Sequence, residues 1–302
     1  MINWKIISNS ISDATASRFS IAHASSISGG CTNPAWHLEG RAQSGNKSDS
    51  LHYFVKLNSA DKAAMFAAES LGLAALAATQ TVRVPQVISH GVADQHAFLI
   101  LEYFELYRNG NNELLAAQIA ALHRAQAKQF GWDQDNTLAL TPQHNTWSPD
   151  WLSFWREQRL GFQLELAARN GFRGRVQELG QQVMDALPDL FVGYSPAASL
   201  LHGDLWGGNY AFLHDGTPVI FDPAPYYGDR EADIAMTELF GGFDHEFYTS
   251  YHAAFPLDAG YARRKTLYNL YHILNHCNLV GSSYLQQAER MMQDLLEGKI
   301  YP

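Results

Sequence analysis

At 302 residues the chain can form one two-lobed domain or two ordinary ones, and it can bury a sizeable core. A net charge of -9 and a pI near 5.8 argue against nucleic acid or an anionic membrane as partner, since both require a basic face. Two cysteines, Cys31 and Cys277, supply neither a disulfide framework nor a structural zinc set.

Met1-Ile2-Asn3-Trp4-Lys5 is not a basic segment followed by a long apolar run, so no secretory signal is expected. The apolar run Leu71 to Ala78 is too short to span a bilayer, and a cytoplasmic setting is the natural expectation. No internal repeat is present, and low complexity is confined to the alanine-rich run near residues 63–78. Residues 3–18 read as a short leading helix. Two strands, Phe19 to Ala24 and Ala35 to Leu38, flank Ser28-Gly29-Gly30-Cys31-Thr32-Asn33. Polar residues 41–50 read as a turn, and the aromatic and β-branched run Leu51 to Leu57 as a third strand. Asp61 is the expected N-cap of a helix through about Thr79. Strands at Val82 to Val87 and Ala97 to Tyr103 complete a five-stranded sheet interrupted by one helix.

After Glu102-Tyr103-Phe104 the pattern turns helical, with helices expected over Asn112 to Ala127 and Trp151 to Asn170. Residues 131–150 between them form a loop too long for a mere connector, which often signals a functional segment. Asn209 to Leu213 and Pro218 to Phe221 read as a hairpin whose Asp215-Gly216 turn fixes the register. Helices fill the remainder.

The densest chemistry lies in Leu201-His202-Gly203-Asp204-Leu205-Trp206-Gly207-Gly208-Asn209, with Asp222-Pro223-Ala224 thirteen residues beyond Asn209. An Asp, an Asn five residues on and a second Asp eighteen residues on resemble the kinase pattern of one base and two metal ligands around a nucleotide triphosphate. His202-Gly203-Asp204 stands where a protein kinase has His-Arg-Asp, and Asp222-Pro223-Ala224 where it has Asp-Phe-Gly. Lys56 in a strand and Glu69 on the following helix fit the pair that holds the phosphates. By themselves they read more readily as a surface lysine and a solvated glutamate, the commoner fate of such a pair; the downstream motif is what favours the functional reading. Gly29 and Gly30 would let backbone N–H groups approach phosphate oxygens, although two glycines in a turn are weak evidence alone. Glu102, Tyr103 and Phe104 fall at the lobe junction, where backbone groups would meet an adenine edge.

Other residues read less directly. Asp233 is expected to hold the catalytic-loop backbone from a helix start, and Arg230 to pair with a carboxylate. His272 and His276 share one helical face, but without a third ligand they read as packed or substrate-pocket residues. Trp147, in the long loop, and Trp206, in the catalytic loop, are candidates to stack on a sugar face, with His202 a further substrate candidate. Cys31 lies in the nucleotide loop and raises the question of a redox role.

With these residues in place, the chain resembles the fructosamine kinase (ketosamine 3-kinase) family, within the aminoglycoside phosphotransferase and choline kinase group. The discriminating words are His202 through Asn209, Phe221-Asp222-Pro223-Ala224, and Tyr227-Gly228-Asp229-Arg230-Glu231-Ala232-Asp233. Thr141-Pro142-Gln143-His144-Asn145-Thr146-Trp147 and Glu157-Gln158-Arg159-Leu160 join them, and the likeness spans nearly the whole chain. It implies an α+β, two-lobed protein-kinase-like fold. Residues 1–104 would form a small nucleotide-binding lobe with a five-stranded antiparallel sheet and a helix. Residues 105–302 would form a larger, mainly helical catalytic and substrate-binding lobe. It further implies ATP-dependent phosphorylation of the sugar 3-hydroxyl of a ketosamine, either a small molecule or a glycated protein lysine. Asp204 would accept the hydroxyl proton, Asn209 and Asp222 would hold Mg²⁺, and Lys56, placed by Glu69, would hold the phosphates of ATP. An aminoglycoside or choline-type kinase of the same fold is the alternative, and a nucleotide-binding pseudokinase a more distant one.

Overall fold

Alternating apolar residues pair the strands of the first unit into one antiparallel sheet, and a short helix closes its apolar face. The computed structural model describes residues 2–27, 33–44 and 47–299. The chain divides into two compact units: Met1–Gly110 with Ala211–Asp222, and Asn111–Tyr210 with Pro223–Pro302. Gly29, Gly30 and Cys31 lie outside the described residues, so the expectations placed on them have no structural counterpart.

In the first unit, α1 (Trp4–Thr15) is capped by the Asn3 side chain, which accepts from the Ile6 N–H, and ends where Ala16 turns left-handed. Strands β1 (Arg18–Ile27), β2 (Ala35–Ser44), β3 (Lys47–Ser59), β4 (Val87–Ala93) and β5 (His96–Glu102) lie in the order β1-β2-β3-β5-β4. Ile7 and Ile11 of α1 are fully buried against Phe19, Leu38, Tyr53, Val55 and Ile100, each contributing about 1.5–3 kcal/mol. The other face of β2 and β3 carries Ala35, His37 and Glu39 opposite Lys56, Phe54 and His52. Helix α2 (Ala63–Ala78) buries Phe66, Leu73 and Leu76.

Three sequence expectations differ here. The expected turn at 41–50 is mostly ladder, since β2 and β3 stay paired out to Ser44 and Lys47. Arg41-Ala42-Gln43-Ser44 and Lys47-Ser48-Asp49-Ser50 are nearly all polar, so the apolar alternation that marks a strand is missing from the sequence there. The expected strand Val82 to Val87 begins only at Val87, and Arg83 makes a single parallel bridge to Val219. Pro85, lacking an N–H, interrupts any ladder there. Asp61 does not cap α2, which follows a 3-10 turn (Ala60–Lys62), and its carboxylate instead accepts from the Ser59 hydroxyl.

The hairpin Tyr210–Phe212 and Pro218–Ile220 forms as expected, with Gly216 at φ +82° in its turn. Tyr107 bridges to Phe212, and Gly110 lies so close beneath the Phe212 ring that a Cβ would stand 2.1 Å from it.

In the second unit the helices are α3 (Asn112–Leu122), α4 (Trp151–Trp155), α5 (Phe162–Arg169), α6 (Arg175–Asp185), α7 (Leu187–Leu190), α8 (Glu231–Leu239), α9 (His245–Ala254), α10 (Tyr261–Val280) and α11 (Leu285–Leu296). The helix expected over 151–170 is continuous, but Arg156–Gly161 widens into a π-turn between α4 and α5. Gly161 permits it: a Cβ there would sit 2.6 Å from the Arg156 carbonyl oxygen. The core joins Phe154, Trp155 and Leu164 to Leu267, Ile273 and Leu274 of α10. Within the long loop, strands Asn136–Leu138 and Thr141–Gln143 pair as a small hairpin. A three-stranded ribbon of Gln126–Ala127, Ala198–Leu200 and Tyr227–Gly228 leads into the loop that carries Asp204 and Asn209.

Candidate active site

Strand β3 delivers Lys56 into a nearly closed environment where it meets two carboxylates. Its Nζ lies 2.5 Å from Glu69 Oε1 and 2.6 Å from Asp222 Oδ1, and the residue is 5% exposed. Burial alone would lower the Lys56 ammonium, but the charges of Asp222 and Glu69 hold it above its ordinary range. Burial raises Glu69, Lys56 opposes that, and the Asp222 charge adds to the rise. Asp222 has φ +57°, a left-handed conformation that aspartate tolerates better than most residues, directly after the strand Pro218–Ile220 and Phe221. Its side chain is 44% exposed, so one oxygen binds Lys56 while the group stays open to a ligand. At the end of β5, Glu102 is engaged internally. Its carboxylate accepts from Arg83 at 2.5 Å and from the Gln86 N–H at 3.2 Å, and its own N–H donates to the Gln86 carbonyl. The Tyr103 ring stacks on His37 at 4.0 Å, and Arg83 lies over the Phe104 ring.

In the second unit the loop His202–Asn209 is built on buried backbone contacts. His202 and Gly203 donate their N–H groups to Asp233 Oδ2 and Oδ1 at 2.7 and 2.9 Å, as expected of Asp233 from the sequence. The fully buried His123 approaches the same carboxylate through Nε2 at 3.2 Å. Burial would raise Asp233, but His123 and these donors hold it below the usual carboxylate range. Gly203 has φ +82°, and a Cβ there would stand 2.0 Å from the Ala224 carbonyl oxygen, so only glycine fits. Asn209 Nδ2 donates to the Asp204 carbonyl oxygen at 2.9 Å and to Asp204 Oδ2 at 3.0 Å, orienting the carboxylate. Gly208 lies beneath the Trp206 indole, leaving no room for a Cβ.

A second layer that the sequence did not reveal holds the segment after Asp222. Gln143 donates to the Ala224 carbonyl and Asn136 to the Pro225 carbonyl, while the Tyr271 hydroxyl donates to Gln143 Oε1. Arg159, fully buried on the π-turn, donates to Asn145 Oδ1 and to the His144 carbonyl. Its guanidinium lies 4.1 Å from the Tyr226 ring centroid and 4.5 Å from that of Phe154. In the sequence Gln143, Asn145 and Arg159 stood out only as words of the family resemblance, with nothing to show what they bind. Farther along, Arg264 makes a two-pronged ion pair with Glu231, and Tyr194 and Tyr268 donate to Asp229. Arg230 donates to the Tyr251 hydroxyl and to the Phe255 and Pro256 carbonyls rather than pairing with a carboxylate as expected.

The substrate candidates fall into different settings. His202 is fully buried and its Nδ1 accepts the Asp204 N–H at 3.3 Å, so it serves the loop rather than offering a face to a ligand. Trp206 meets Phe240 edge-on, Phe240 contacts His276, and His276 in turn contacts Tyr284. Trp147, 37% exposed, stacks on Tyr227, which also contacts Trp132. His276 Nδ1 contacts the His272 carbonyl oxygen, and burial with the His276 charge pushes His272 down to about 3. The two histidines are packed residues, not a ligand pair.

A family model described as fructosamine kinase matches residues 3–298. The chain belongs to the fructosamine kinase family. A protein named a probable ketoamine kinase in Synechocystis sp. is 47% identical over 296 residues, 97% of each chain. A protein-ribulosamine 3-kinase of Arabidopsis thaliana, chloroplastic, is 40% identical over 280 residues, covering 91% of this chain and 83% of its own. The crystal structure of a Haemophilus somnus protein described as a fructosamine-3-kinase superposes with a TM-score of 0.85 at 32% identity, over 97% of both chains. The family fold extends further: the aminoglycoside phosphotransferase APH(2")-IIa gives a TM-score of 0.61 at 12% identity over 99% of this chain and 97% of its own, a likeness of fold alone. Among the described residues no helix is long and apolar enough to cross a membrane.

Proposed function

We propose that the chain phosphorylates the sugar 3-hydroxyl of ketoamines with ATP and Mg²⁺, as a cytoplasmic deglycation step. The observation that carries this reading is family membership along the whole chain, joined to the Lys56–Glu69–Asp222 set. The donor chemistry fits the group: Asp222 and Asn209 offer oxygen ligands, which suit a hard cation such as Mg²⁺. When bound, Mg·ATP supplies the phosphoryl group and the cation neutralises its developing charge.

The residues of the chain do the rest by position and charge. Lys56, fixed by Glu69, binds phosphate oxygens. Asp204, oriented by Asn209 Nδ2, accepts the proton of the attacking hydroxyl. Backbone groups of Glu102 to Phe104 meet the adenine edge, and Trp206 and Trp147 present aromatic faces to the sugar. The product carries a phosphate that can leave, so it decomposes and frees the amine, whether a small molecule or a protein lysine.

An acceptor panel tests this reading. Purified protein with Mg·ATP is offered ribulosyl-, erythrulosyl- and fructosyl-lysine, a glycated protein, an aminoglycoside and choline, and ADP release is measured. Turnover on at least one ketoamine and none on the aminoglycoside or choline is expected; the reverse pattern would sink the proposal.

A further inference from the structure

The face of the first unit's sheet that carries Lys56 also gathers histidines that no phosphoryl-transfer role uses. We propose that His37, Glu39 and His52 form a binding site for one Zn²⁺-class divalent cation, with His23 as the neighbouring fourth donor.

The strand register builds this cluster. Glu39 on β2 lies directly opposite His52 on β3, and His37 is the next residue on the same face. On β1 the register shifts between Ile21 and His23, leaving Ala22 as an extra residue. That bulge reverses the alternation, so His23 stands opposite Glu39 on this face instead of following Ile21. The result is a cross-strand row His23–Glu39–His52 with His37 beside it.

Side-chain geometry agrees. One ligand atom from each of His37, Glu39 and His52 lies within 4.8 Å of the others. His37 Nε2 and His52 Nδ1 are 2.9 Å apart, sharing one proton. Two nitrogens bound to one tetrahedral Zn²⁺ stand roughly 3.3 Å apart, so a small ring movement admits the ion. The bridging proton then moves to the other nitrogen of its ring, and no net proton is lost. Stacking on Tyr103 at 4.0 Å and 18° fixes the His37 ring beforehand.

The chemistry separates this site from the catalytic one. Imidazole with carboxylate selects Zn²⁺ and its neighbours over Mg²⁺. His52 precedes Lys56 by four residues on one strand, so the two positions stand roughly 13 Å apart. The cluster therefore neither overlaps the Lys56–Asp222 pair nor depends on the proposed reaction.

Calorimetric titration of the metal-stripped full chain with Zn²⁺, without nucleotide, tests the assignment. Absorption of the Co²⁺ form reads out the ligand geometry. One equivalent should bind, undisturbed by millimolar Mg²⁺. His37→Ala and His52→Ala should each weaken binding at least about tenfold, while His90→Ala and Asp222→Asn leave it unchanged. Circular dichroism checks each fold, and Glu39→Gln, which keeps the side-chain shape, should weaken binding if an alanine variant does not fold. Failure of the parent chain to bind Zn²⁺ overturns the proposal. So does undiminished binding in the His37→Ala/His52→Ala double variant, or loss of binding in Asp222→Asn.

Discussion

Replacing Asp233 by asparagine keeps the shape of the side chain but removes one acceptor from a site that needs two. The carboxylate is 1% exposed and accepts the His202 N–H at 2.7 Å and the Gly203 N–H at 2.9 Å through different oxygens. An amide can satisfy one of these donors; its NH₂ then faces the other, and donor meets donor in a buried place. A lost charge-assisted bond is worth about 1.5–3 kcal/mol and a stranded buried N–H about 1–3 kcal/mol, so the overlapping losses come to about 2–4 kcal/mol. Asp233→Ala removes both acceptors and the His123 contact, and should cost more, about 3–5 kcal/mol. Urea unfolding, read as a shift in midpoint at unchanged slope, gives the stability change. Turnover should fall as well, because the two N–H groups belong to the residues that lead into Asp204. An Asp233→Asn variant within about 0.5 kcal/mol of the parent, a change typical of an uninvolved surface site, would refute the reasoning.

Further outcomes follow from other contacts. His272 is held down to about 3, whereas the unfolded chain protonates it near 6.5, so between those values the unfolded state binds the extra proton and stability drops as the pH is lowered. About 2 kcal/mol is lost by pH 5 relative to pH 7, and unfolding midpoints of His272→Gln across that range should lack this component; an unchanged pH slope would contradict it. Gly203→Ala forces a Cβ against the Ala224 carbonyl oxygen at positive φ, so activity should vanish with at least about 2 kcal/mol of destabilisation; an active variant would show that the loop readily relaxes. Glu69→Gln weakens the hold on Lys56 by about 1.5–3 kcal/mol, and kcat/KM for ATP should drop about tenfold to a hundredfold; a change under twofold would dismiss the pair's role in nucleotide use.

How much of this was legible in the sequence depends on whether a residue acts locally or through distant partners. The Asp-Gly turn of the hairpin, the Ala-rich α2 and the strand bearing Lys56 follow local rules, and the structure agrees with them. Asp233 was readable because a carboxylate at a helix start has few other uses. The π-turn was not, since it depends on Gly161 approaching a carbonyl five residues back. Arg159 and Gln143 act on segments far along the chain, and their spacing carries no trace of those targets. Arg230 reads as a salt-bridge former by type, yet an aromatic ring and two carbonyls take its charge. His23 was hidden by a bulge, which inverts the face that simple alternation would assign it.

The central claim concerns one hydroxyl and one carboxylate, and product analysis addresses both at once. Ketoamine turned over with Mg·ATP is examined by phosphorus and carbon NMR for the position of the new phosphate, in the parent chain and in Asp204→Asn. The account predicts the 3-phosphate from the parent, and a rate at least about a hundredfold lower in the variant with nucleotide binding largely retained. Phosphate on another hydroxyl, or near-parent turnover without the Asp204 carboxylate, would contradict it.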